Sequence, residues 1–191
     1  MKRLSIAAIL FLAGTCLAPA QIYFRPSRPP VDTYRLPDTD DDPTGFVRIA
    51  EERIADRIDD ERAKFAPAAP RLSGDTDLAE IARRRSTDMA EGAPFAHEDA
   101  QGRFVAADLV RARFGPYGTI GENIMEMSAS RAFDAEKFAQ VAVDGWMKSP
   151  GHRKNILDPD YNRSGIGVAV KDGTAYATQV FFGPPQHAAS R

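Results

Sequence analysis

The stretch that decides the fold runs from residue 146 to residue 157: Trp146-Met147-Lys148-Ser149-Pro150-Gly151-His152-Arg153-Lys154-Asn155-Ile156-Leu157. Its first part closes a helix predicted to begin near Asp134, a plausible N-cap. Ser149-Pro150 then starts a second, short helix, because serine is a favoured cap and proline is tolerated at the first helical position. His152 falls in the first turn of that helix. The positive helix end there disfavours imidazolium, so we expect a neutral ring.

The remaining apolar pattern predicts helices first and strands last. Helical spacing predicts three helices ahead of Asp134: Phe46–Phe65, Asp75–Glu91 and Ala106–Phe114. From Ile166 onward apolar residues alternate, and Asp172-Gly173 separates two such runs. Asp-Gly between alternating runs predicts a β-hairpin, because both turn residues tolerate positive φ. Phe181 and Phe182 should point to opposite faces of the second strand, which leaves one of them exposed.

Two further short segments carry polar residues that are candidates for catalysis or metal binding. His97 ends the run Pro94-Phe95-Ala96-His97, and Glu122 is an isolated acid within Gly118–Ile124. Glu122 has two interpretations, an exposed acid in a surface turn or a buried carboxylate that needs a partner such as histidine. His187, the remaining histidine, lies near the end of the chain.

These segments, in this order, resemble those of bacterial members of the CAP superfamily. The superfamily comprises cysteine-rich secretory proteins, antigen 5 and pathogenesis-related class 1 proteins. The resemblance covers about residues 46–184 and is carried by the following segments: Leu78–Met89, Phe95–His97, Gly121–Ile124, Trp146–Leu157, Gly165–Ala169 and Thr178–Phe182. It implies an α+β fold, a three-layer α–β–α sandwich with a small central, mainly antiparallel sheet. It also implies an open cleft with two histidines and two acids on its floor.

His97, Glu122 and His152 match three of those four cleft positions, while Ser149 stands where many relatives have the second acid. Two imidazoles and a carboxylate are a reasonable ligand set for zinc or another divalent metal, with one coordination position left open. The alternative is a hydrogen-bonded polar cluster that stabilises the fold.

Asn123, Ser149 and Asn155 are the candidate ligand-binding residues beside that set. Each also has a structural interpretation. Asparagines near turns often satisfy backbone groups, and Ser149 would cap the helix that follows it. A hydroxyl engaged in a cap is poorly placed to attack a substrate, and no Gly-x-Ser-x-Gly elbow surrounds Ser149, which disfavours a serine hydrolase.

The first 20 residues of the chain predict export. Residues 1–20 resemble a signal peptide, with basic Lys2 and Arg3, an apolar core and Ala18-Pro19-Ala20 before the cleavage site. One alternative is that the segment is not cleaved and anchors the protein in the membrane. Another is a lipidated Cys16, although a lipidation site usually has Gly, Ala or Ser directly before the cysteine, where this chain has Thr15. Residues 21–45 are predicted to be a Pro-rich acidic linker, and residues 185–191 a flexible tail.

The charge balance and the single cysteine exclude some classes of protein. The 191 residues carry 25 Lys+Arg against 27 Asp+Glu, a net charge of −2, which argues against a broad nucleic-acid-binding face. One cysteine excludes an intramolecular disulfide. We therefore expect a secreted or periplasmic binding module for a metal, small molecule, lipid or protein, with membrane contact only through the signal segment or Cys16. The alternative is a metal-dependent hydrolase using His97, Glu122 and His152.

Overall fold

The structure, a computed structural model, describes residues 43–128 and 134–185, which form helices and strands in the order α1, β1, α2, α3, β2, α4, α5, β3, β4. The helices are α1 Pro43–Phe65, α2 Thr76–Ala90, α3 Val105–Phe114, α4 Ala135–Lys148 and α5 Pro150–Leu157. The strands are β1 Ser73–Gly74, β2 Thr119–Ser128, β3 Arg163–Lys171 and β4 Thr174–Gly183. The predicted signal peptide, the linker up to residue 42 and the tail from residue 186 lie outside the described residues.

The sheet has the order β1-β3-β4-β2. The long pairings β3–β4 and β4–β2 are antiparallel, and β1 adds a two-residue parallel contact to β3. The β3–β4 turn is the predicted hairpin, with Asp172 at φ 50° and Gly173 at φ 71°. In this order β2 lies at one end of the described sheet, where its outer side has no neighbouring strand.

Helices cover both faces of the sheet, which confirms the three-layer sandwich. One core joins α1, α4 and α5 to the sheet and includes Ile54, Phe138, Trp146, Ile156 and Phe181. A second core joins α2 and α3 to the opposite face and includes Leu78, Ala82, Val110, Val180 and Phe182. The expectation that Phe181 or Phe182 is exposed is wrong, because both strand faces are covered and both rings are buried.

Helix boundaries follow local capping chemistry. The Asp75 carboxylate accepts hydrogen bonds from the backbone of Asp77 and Leu78, and Asp134 caps α4 in the same way through Lys137 N at 2.6 Å. Helix α1 begins at Pro43, three residues before the predicted start. Proline is tolerated in a first helical turn, so residues 43–45 of the predicted linker belong to α1.

Among the helices of residues 43–128 and 134–185, none combines the length and the apolar character that a membrane span needs.

Candidate functional site

The site is built around two consecutive residues of β2 that point to opposite faces of the sheet. Glu122 points toward the α2–α3 layer and meets Arg85 of α2, whereas Asn123 points toward α5 and donates to the carbonyl of His152. Because β2 is the last strand on this side, the two helical layers approach each other around its outer edge. Groups from both layers can therefore meet there.

Glu122 is a buried carboxylate with two partners. Its side chain has 0% relative exposure, Oε1 accepts from Arg85 Nε at 2.9 Å, and Oε2 lies 2.7 Å from His97 Nδ1. The buried interpretation is therefore right and the exposed surface turn is wrong. A buried carboxylate is costly unless it is paired and hydrogen-bonded, and both of its oxygens are satisfied here.

Arg85 is the site residue that sequence reasoning missed. Its guanidinium, 4% exposed, pairs with Glu122 and also donates to the carbonyl of Ala96 at 2.7 Å. It thus fixes both the carboxylate that holds His97 and the residue just before His97. The available signal was a charged residue on the otherwise apolar face of α2, a position that is rarely charged unless paired.

His97 sits in the segment between α2 and α3. Its carbonyl accepts from Val105 N at 3.1 Å, and its ring lies edge-on to Phe104 with centroids 6.3 Å apart. The side chain is 21% exposed. Since Nδ1 faces Glu122, Nε2 is the ring nitrogen that this carboxylate does not use.

His152 comes to His97 from the other helical layer. The two ring centroids are 6.0 Å apart with an interplanar angle of 66°. Burial, reinforced by the charge of His97 and opposed by Glu122, lowers the pKa of His152 to about 4. Its Nδ1 atom is buried without a hydrogen-bond partner among the described groups. The ring is neutral near pH 7 as expected, but burial rather than the helix end is the main cause.

Asn123 and Asn155 form a network that ties α5 to β2. Asn155 Nδ2 donates to the carbonyl of Glu122 at 3.1 Å and to Asn123 Oδ1 at 2.9 Å. Near the end of α4, Trp146 Nε1 donates to the carbonyl of Ile124 at 3.0 Å. These side chains satisfy carbonyls of the last strand and position α5, and hence His152. Ligand binding by Asn123 and Asn155 stays a prediction.

Ser149 is the N-cap residue of α5 as predicted, but its hydroxyl makes no capping hydrogen bond, so only the expected role of the side chain is wrong. The backbone serves instead: the Ser149 carbonyl accepts from Arg153 N at 2.8 Å, and its N–H donates to carbonyls at the end of α4. Proline at the first position of α5 removes one of the donors that a cap would otherwise satisfy. A ligand-binding role for Ser149 stays a prediction.

The structure does not arrange His97, Glu122 and His152 as three ligands of one metal ion. Within residues 43–128 and 134–185, no group of three or more His, Cys, Asp or Glu side chains is placed to hold a metal ion. Glu122 is the reason, because Arg85 and His97 occupy both of its oxygens and its side chain has no exposed surface. The carboxylate orients His97, and metal binding at the imidazoles of His97 and His152 stays a prediction.

Comparison with known proteins identifies the family of the chain. The model of the CAP family, the cysteine-rich secretory protein family, matches residues 55–182, which include His97, Glu122 and His152. The chain belongs to this family. The match takes in four of the five helices in full, as well as β2 and β3, so it includes every element that positions the site.

Bacterial proteins are similar to about three quarters of this CAP chain. The uncharacterized protein YkwD of Bacillus subtilis (strain 168) is 31% identical over 137 residues, 72% of this chain and 48% of YkwD. The chain thus spans about half the length of that relative. An extracellular protein containing a SCP domain from Bacillus anthracis str. Ames has a TM-score of 0.58 and 28% identity, over 76% of this chain and 44% of that one.

A more distant structure shares the fold alone. An outer surface protein from Borrelia burgdorferi aligns with a TM-score of 0.59 at 15% identity, over 71% of this CAP chain and 92% of its own.

Proposed function

We propose that this CAP protein is an exported binding module that captures its ligand at the pair of imidazoles formed by His97 and His152. One observation carries the proposal. Two histidines from opposite helical layers meet at the edge of the sheet, with their ring centroids 6.0 Å apart. Export is supported by the signal-like residues 1–20 and by a 28% identical relative described as extracellular.

Divalent transition metal, with Zn²⁺ as the probe, is the ligand that this chemistry favours. Imidazole nitrogen suits zinc and copper, and His152 is already neutral near pH 7 because its pKa is about 4. Histidines that bind metals usually hydrogen-bond a carboxylate through their other nitrogen, as His97 does with Glu122 at 2.7 Å. Two protein donors leave several positions for water or for groups of a bound partner.

The hydrolase alternative has less support. Both oxygens of Glu122 are engaged by Arg85 and His97, so the carboxylate is a poor candidate to take a proton from water. His152 Nδ1 has no hydrogen-bond partner in the described structure, so no acid orients the ring through that atom as in a nucleophile–base–acid set. Binding, rather than turnover, is the activity that these contacts favour.

Isothermal titration calorimetry with Zn²⁺ at pH 7 tests the proposal. The wild-type protein should bind one equivalent. His97→Ala and His152→Ala should each weaken binding by at least about tenfold, because each removes one of two protein donors. His187→Ala is the matched control, since it removes the third histidine of the chain, and should bind as the wild type does.

Circular dichroism would establish that each variant is folded. Absence of heat from the folded wild-type protein, or equal weakening by His187→Ala, would remove the metal from the proposal.

A further inference from the structure

Most arginines that the structure describes are paired with carboxylates. The paired residues are Arg48, Arg53, Arg57, Arg71, Arg83, Arg84, Arg85, Arg103, Arg111, Arg113 and Arg163. By contrast, Lys64, Lys148, Arg153 and Lys154 form no ion pair with any described carboxylate, and they lie close together. In a chain with a net charge of −2, this local excess of positive charge is unusual.

Three of these cations line one groove. It has a volume of about 590 Å³, within the usual range for small-molecule sites. The lining residues are Met147, Lys148, Pro150, Arg153, Lys154, Leu157, Asp158 and Pro159. Four of them, at positions 150, 153, 154 and 157, form one stripe of α5, since residues three and four apart share a helix face. His152 is not among the lining residues, so the groove is separate from the imidazole pair.

The charge of the groove suits a dianion. Among the residues that line the groove, three are cations (Lys148, Arg153 and Lys154) and one is an acid, Asp158, which leaves a formal excess of two positive charges. Asp158 Oδ1 is engaged by Asp160 N at 2.9 Å. A phosphate monoester carries about −1.5 to −2 charges at neutral pH, and arginine and lysine are its usual partners.

Apolar surface lies directly beside these charges. Met147 and Leu157 line the groove, and Phe65 at the end of α1 is 47% exposed. Two of the unpaired cations contact the Phe65 ring, with Arg153 at 5.2 Å and Lys64 at 4.8 Å from its centroid. A ligand with only a phosphate would leave this apolar part uncovered.

We propose that the α4–α5 groove binds a phosphate monoester that carries an apolar chain. The phosphate lies among Lys148, Arg153 and Lys154, and the chain packs on Met147, Leu157 and Phe65. A soluble alkyl phosphate and a phosphatidic acid headgroup share this chemistry.

Octyl phosphate, titrated calorimetrically into the full chain below its critical micelle concentration, tests the site. Wild-type protein should bind it, and bind inorganic phosphate at least about tenfold more weakly, because the short anion lacks the apolar contact. Lys148→Gln/Lys154→Gln should weaken binding of octyl phosphate by about tenfold or more. Lys137→Gln/Lys171→Gln is the matched control: it removes two charges outside the groove and should change binding less than about twofold.

Co-sedimentation with phosphatidylcholine vesicles, with and without phosphatidic acid, separates the two sources of the phosphate. Binding to octyl phosphate or to the phosphatidic acid vesicles, lost in the groove variant alone, supports the proposal. No binding to either by the wild-type protein, or equal losses in both double variants, would overturn it. The histidine variants leave these cations intact, so failure of zinc binding and failure of this site are separate results.

Discussion

At the scale of single residues, the motif pattern located His97, Glu122 and His152, but it did not predict how they are used. Glu122 could be interpreted as exposed or buried, and only its contacts with Arg85 and His97 decide between them. Arg85 lies on the buried face of α2, and the sequence of that helix does not show its partner. The pairing joins residues 37 positions apart, which spacing within one helix cannot reveal.

The neutrality of His152 has a measurable consequence for stability. Its pKa is about 4 in the folded protein against 6.5 for an ordinary histidine. Between these values the unfolded chain takes up a proton that the folded protein does not, so this contribution to stability falls as pH drops from about 6.5 toward 4. The loss is on the order of 3 kcal/mol, and it is complete once both states are protonated.

Urea denaturation at about pH 7 and at about pH 4.5 measures this loss of stability, because the two pH values enclose most of the range between the two pKa values. We expect the free energy of unfolding of His152→Asn to fall less over that interval than that of the wild-type protein. Two-dimensional NMR of the rings should show the His152 imidazole still neutral at about pH 5. A His152 midpoint near the ordinary histidine value, or identical pH dependence in both proteins, would contradict the account.

At the scale of elements, helices and the hairpin could be predicted because their periods are clear, whereas β2 could not. It places polar Glu122 and Asn123 at buried positions, so the usual alternation of apolar and polar residues is missing. The two-residue β1 is too short to leave a pattern. Both strands are specified by tertiary contacts, since β2 pairs with β4 and β1 pairs with β3.

The contact of α2 with β3 depends on the glycines of β3. A Cβ atom at Gly167 would lie 2.0 Å from Arg83 N and 2.2 Å from Ala82 C, both backbone atoms of α2. The helix therefore packs directly on the strand, and this closeness helps Arg85 to reach Glu122.

Gly167→Ala should consequently destabilise the protein by about 1–3 kcal/mol or more, because backbone cannot move aside as a flexible side chain can. Thermal and urea denaturation would measure the loss. Gly74→Ala is the control, since a Cβ there meets nothing within 4 Å, and it should stay within about 0.5 kcal/mol of wild type. Equal stability of the two variants would contradict the close packing of α2 on β3.

At the scale of the whole molecule, the sandwich brings the two imidazoles together. His97 follows α2 in one layer, and His152 belongs to α5 in the other, 55 positions later in the chain. Asn155 fixes α5 to the carbonyl of Glu122, while the Glu122 side chain holds His97. The resemblance to CAP proteins predicted the layers and the convergence of these rings. Sequence analysis offered a histidine as the partner of a buried Glu122, but it did not identify Arg85 as the second partner.

The most direct test is a crystal structure of the protein soaked with Zn²⁺, with anomalous data collected at the zinc edge. We predict one strong peak within bonding distance of both His97 and His152, about 2.0–2.1 Å from a nitrogen of each ring, while Glu122 stays paired with Arg85. A peak that touches only one ring, or a zinc ion coordinated by Glu122 after it has left Arg85, would contradict this account of the site.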